Sequence, residues 1–178
     1  MTKRNNLVFI ILQIVGWIIF VGLSIEAGAL IVNFVFSLFK PEFVQNLYQK
    51  LDLSQMYNTN ILVYFGLYGF ILTISILKAY LFYVVVMLLH KIDLLKPFNS
   101  HVANQIKNIS YITLGIGIFS LIAREISRNM VHYGLEPDTL NQFWEDGSAF
   151  LLMAAVIYVI ATIFSRGVEL QNENDLTV

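Results

Sequence analysis

Apolar residues in this chain do not alternate with polar ones. They come in four long blocks separated by short polar stretches. The first block runs from Leu7 to Phe39 and is interrupted by Glu26; the second runs from Asn60 to His90 with one charge, Lys78. The third covers Ile109 to Ala123, and the fourth Ser148 to Phe164 or slightly beyond, to Arg166. A bilayer core is crossed by about 20 apolar residues rising ~1.5 Å each, and the first two blocks exceed that length. The pattern predicts an all-α, integral membrane, antiparallel four-helix bundle in one domain, with spans at about 7–39, 60–90, 109–123 and 148–166. The third helix is expected to extend to about His132 and end near Gly134, and residues 167–178 form a polar tail.

The polar stretches predict two small extracytoplasmic helical caps. In 40–57, Pro41 suits a first helical position, and Phe43, Val44, Leu47 and Leu51 share one face at helical spacing. After Pro137, a short helix would gather Leu140, Phe143 and Trp144. These cap residues either pack on each other or line a mouth for a hydrophobic ligand. Between the second and third spans, Pro97 breaks the helix, and Asn99 or Ser100 can cap the next one. Lys3 and Arg4 before an apolar run also resemble a signal peptide, with Glu26-Ala27-Gly28-Ala29 as a cleavage site. The run continues past that point, so a retained span is expected.

Composition narrows the function. Of 178 residues, 57% are hydrophobic and 13% charged, against about 45–50% and about 25% in soluble domains. A net charge of −1 gives no basic surface for direct nucleic-acid binding. There is no cysteine, which excludes disulfides and thiolate chemistry. Lys3, Arg4, Lys91, Lys96, Lys107 and Arg166 fall on the side of the termini, and Lys40, Lys50, Arg124 and Arg128 on the other. That bias places both termini in the cytoplasm.

Within the spans, Gly66, Gly69 and Thr73 share a face suited to close helix approach. Tyr64, Tyr68, Tyr80 and Tyr83 lie towards the ends of their span, as an aromatic belt would. Ser110, Thr113, Gly117, Ser120 and Arg124 form an inward stripe on the third helix; Ala155, Tyr158, Thr162 and Ser165 form the less apolar face of the fourth. Ionisable groups in a span cost several kcal/mol unless sheltered. Glu26, on a face with Gly22, Ala29 and Asn33, is expected to pair with Arg124, or alternatively with Arg128. The result is either a packing ion pair or an outer-half ligand or ion site. Depth counted from each end separates Lys78 from Glu26; the lysine stem would instead reach towards the inner head groups.

Enzyme chemistry has little support. His90, Asp93 and His101 do not have helical HExxH spacing, and the serines lack a base at convincing spacing. Neither a metal nor another cofactor is expected. The Gly-rich faces are compatible with a homo-oligomer.

The tail adds a resemblance. Gly167-Val168-Glu169-Leu170-Gln171-Asn172-Glu173-Asn174-Asp175-Leu176-Thr177-Val178 resembles the closing motif GxxLQxENDLTV/I of an uncharacterised bacterial four-span membrane family. Pro97-Phe98, after Lys96, stands where that family often has PF. Family members are frequently encoded beside a small Cro/CI-like helix-turn-helix regulator. The resemblance therefore implies a non-enzymatic regulatory protein of the bacterial inner membrane. It would tether or control such a regulator through Lys96, Pro97, Phe98 and the tail residues Glu169, Leu170, Gln171, Glu173, Asn174, Asp175 and Leu176. The alternative is a transporter or a small-ligand- or lipid-binding membrane protein using Glu26 and Arg124.

Overall fold

The computed structural model describes residues 3–45, 47, 53–92, 99–130 and 138–176. Among them all regular structure is helical. Helix α1 spans Lys3–Phe39, α2 Ser54–Thr59, α3 Ile61–Lys91, α4 Ser100–Met130, α5 Asp138–Asn141 and α6 Gly147–Leu176. Four of these, α1, α3, α4 and α6, are long and apolar enough to cross a membrane. They run antiparallel, so both termini lie at one end, and the two polar segments around α2 and α5 lie towards the other. The predicted all-α helical bundle is what the chain forms. The third long helix starts at Ser100, next to the expected cap Asn99, and the fourth runs past its apolar block to Leu176, because polar turns extend it.

Helix starts follow local chemistry. The Asn60 Oδ1 accepts hydrogen bonds from the amides of Leu62 and Val63, and Asn99 Oδ1 accepts one from Val102. Each satisfies orphan donors in a first turn. The 40–57 cap is a 3-10 turn at Pro41–Gln45 followed by α2, rather than a single helix. Its buried contacts are Val44, Leu47, Leu53 and Met56; Leu51 lies outside the described residues. The expected helix end near Gly134 also lies outside them.

The long helices pack in series: α1 on α3, α3 on α4, and α4 on α6. Between α1 and α3 the contact is aromatic and polar. Tyr64 donates to Ser37 Oγ at 2.8 Å, Ser37 donates to the Phe34 carbonyl at 2.7 Å, and Tyr68 donates to the Leu30 carbonyl at 3.1 Å. Tyr64 and Tyr68 are both fully buried, so they clamp two helices instead of forming a belt; Tyr80 and Tyr83 are exposed. Burial suits a tyrosine only where its hydroxyl finds a partner, and both do.

Close approach occurs at Gly117, on the expected inward stripe of α4, and at Gly16 and Gly147, but not on the Gly66-Gly69-Thr73 face. A Cβ on Gly117 would lie 2.7 Å from Leu151 Cδ2, and one on Gly147 2.8 Å from Ser120 Cβ. Among the described residues nothing lies within 4 Å of such an atom on Gly66 or Gly69. A tight seam therefore runs between α4 and α6, where Ser110 also donates to the Ala154 carbonyl at 3.0 Å. The inward stripe of α4 is real: Ser110, Thr113, Gly117, Ser120 and also Ser127 are buried. On α6 the buried positions are Ala154 and Ala161, one step around from the expected face, while Tyr158 is exposed.

Candidate functional site

The α1–α3 register determines what Glu26 meets. Gln13 Nε2 donates to the Leu89 carbonyl at 3.0 Å, Gly16 lies against Val86, Phe20 meets Tyr83, and Phe34 stacks on Tyr68. Carried along two antiparallel helices, that register sets Glu26 opposite Ile76, within a turn of Lys78. The different depths expected from the sequence are thus corrected. They assumed that Leu7 and His90 are level, but α1 extends past the end of α3 at the termini side.

Lys78 points away from the termini. Its Nζ lies 3.5 Å from the Phe143 carbonyl and 5.6 Å from the centroid of the Phe150 ring. Helical side chains lean towards their helix's N-terminus, which for α3 is the cap end. The expected reach towards the inner head groups therefore does not occur. The residues it reaches belong to a segment that enters the bundle. α6 starts at Gly147 against Ser120, whereas α4 continues to Met130, so the turn before α6 sits beside the last turns of α4. Leu140, Phe143 and Trp144 are buried there. Irregular backbone at this depth must be satisfied by protein. The turn achieves this through Phe143 N–H to Leu140 O, Glu145 N–H to Asn141 O and Gly147 N–H to Trp144 O. Three buried polar atoms beside it, Ser120 Oγ, Ser127 Oγ and Trp144 Nε1, have no hydrogen-bond partner among the described residues.

Where α1, α3 and this turn meet there is a cleft of about 190 Å³, lined by Leu23, Glu26, Ser75, Lys78, Gln142 and Phe143. It is near the middle of both α1 and α3. Two opposite charges line it, and among the described residues neither belongs to an ion pair. Neither Arg124 nor Arg128 joins Glu26. Arg128 lies 3.9 Å from Glu125 with its side chain 70% exposed, and α4 packs on α3 and α6, so α3 stands between the arginines and α1. Asn33 is half-buried two turns further along α1 and does not line the cleft. Ser75, Lys78 and Gln142 were missed as neighbours of Glu26, because no spacing rule sets the register between separate helices.

At the termini end, a second cleft of about 240 Å³ between α4 and α6 is lined by Lys107, Tyr158, Ala161, Thr162, Ser165, Arg166 and Glu169. Arg166 and Glu169 pair at 2.6 Å. Beyond them α6 continues without a break: Leu170 is 61% exposed, Gln171 is half-buried and Glu173 is exposed. Asn174, Asp175 and Leu176 continue the helical backbone. Lys96, Pro97 and Phe98 lie outside the described residues. Among the described residues no three His, Asp or Glu side chains gather as metal ligands.

Four membrane-length helices, a turn inserted among them and polar clefts at two depths define a multipass helical membrane protein. Residues 47–178 match a family described as a protein of unknown function, DUF2975, and the chain belongs to that family. The matched stretch begins after α1 and includes the tail. No curated protein and no solved structure matches the chain.

Proposed function

We propose that this is a non-enzymatic regulatory protein of the bacterial inner membrane, with both termini in the cytoplasm. In this reading it tethers or controls a small helix-turn-helix transcription regulator. The observation that carries the reading is the continuity of α6, 30 residues from Gly147 to Leu176. At ~1.5 Å per residue that is about 45 Å, against a hydrocarbon core of ~30 Å. The surplus is a stiff extension of a membrane span, and it bears exposed Leu170 between Glu169 and Glu173. An apolar anchor flanked by acids suits helix-in-groove docking onto a basic partner. The tail's resemblance to a family encoded beside such regulators supplies the partner class, and the Lys/Arg bias supplies the orientation.

Co-purification of the full-length chain with the neighbouring regulator tests the reading. Capture is expected, together with its loss on truncation after Arg166. Absence of capture both with and without the tail would defeat it.

A further inference from the structure

We infer that the cleft between α1, α3 and the turn before α6 binds a small zwitterion, an α-amino acid with a short apolar side chain. The juxtaposition is Glu26 on α1 and Lys78 on α3, facing one cleft near mid-membrane without forming an ion pair. Intramembrane charges are costly and normally pair with each other or face a polar cavity. Here the ammonium of Lys78 is turned to the Phe143 carbonyl and the Phe150 ring, at distances too long to satisfy it fully. The Glu26 carboxylate, which can only accept hydrogen bonds, has no protein donor among the described residues.

The two charges select the ligand. A lone cation drawn to Glu26 meets repulsion from Lys78, and a lone anion drawn to Lys78 meets repulsion from Glu26. A molecule carrying an ammonium and a carboxylate satisfies both at once. The cleft holds about 190 Å³, far above the ~10–15 Å³ that one water requires and below the ~300 Å³ at which drug-sized pockets begin. Leu23 and Phe143 give it apolar walls, and the Ser75 hydroxyl is a further polar contact. Those walls favour a short hydrocarbon side chain over a polar one. This inference does not rest on the tail docking a regulator.

The test uses the full chain in lipid nanodiscs, with thermal unfolding as the readout. Valine and alanine are the probes. Isobutylamine, which is valine without its carboxylate, and isovalerate, which is valine without its ammonium, are the controls. A rise of several degrees with saturating valine or alanine is expected, with little or none for either control. Glu26→Gln and Lys78→Met should each abolish the rise. Ser75→Val leaves both charges in place but fills the cleft, so it should weaken the rise even if the charge variants fail to fold. Three results would overturn the inference: no rise with either amino acid, an equal rise with a control, or a rise that survives in Glu26→Gln and Lys78→Met. Regulator capture by the tail is a separate readout, so failure here leaves the tether reading standing.

Discussion

Tyr64 and Tyr80 are the same residue on the same helix, yet only one can matter to stability. The Tyr64 hydroxyl is buried and hydrogen-bonded to Ser37, while Tyr80 is 46% exposed. In Tyr64→Phe the ring packing survives and one buried bond is lost, leaving the Ser37 hydroxyl without that donor. A cost of about 1 kcal/mol is expected, seen as a lower unfolding temperature, and Tyr80→Phe should be indistinguishable from the parent chain. Sequence could not separate the two, because a tyrosine near a helix end fits an interface belt and a buried clamp equally well. For Lys78 the expected reach to the inner head groups was the wrong direction, although the polarity of α3 aims a long side chain at the cap end. Glu26 was recognisable as a charge that needed sheltering. Its neighbours were not, because depth counted from helix ends carries no information about register.

At the level of the elements, the α4–α6 seam leaves little room for added volume. Gly117→Leu would force a side chain into Leu151 and the adjoining backbone. A loss of roughly 1–3 kcal/mol is expected from such overpacking, measurable by denaturation in detergent. Gly66→Ala, with nothing near the added methyl, should be neutral or slightly stabilising because alanine favours helix. Four spans were legible because runs of that length have no other solution in hydrocarbon. The burial of Gly117 was legible from the polar stripe of α4, but the openness of Gly66 and Gly69 was not, since both faces offer small residues and only the partner's shape decides which is closely packed. The turn before α6 shows a similar limit. Leu140, Phe143 and Trp144 announced a buried cap, but their composition says nothing about how far that cap descends beside α4.

For the whole molecule, the predicted orientation is open to a clean measurement, because the chain has no cysteine of its own. Asn172→Cys should react with an impermeant thiol reagent only from the cytoplasmic face, and Asn58→Cys only from the opposite face. The reverse pattern would invert the topology and remove the tail from any cytoplasmic regulator. If the tail docks as proposed, Leu170→Ala should weaken capture of the regulator about tenfold or more, as loss of an interface anchor does. Glu169→Lys with Glu173→Lys should weaken it further at low salt than at high salt.

Helix α1 has 37 residues, about 55 Å of rod, and its main support among the long helices is α3. A rod longer than the hydrocarbon slab adjusts by leaning, and one braced on a single flank can lean without disturbing the seam on the far side of the molecule. Leu23 and Glu26 would swing with it, while Gln142 and Phe143 stay with the turn. A change of bilayer thickness is then expected to widen or narrow the gap around Glu26, read as a changed distance between spin labels on α1 and on the turn in thin and thick bilayers.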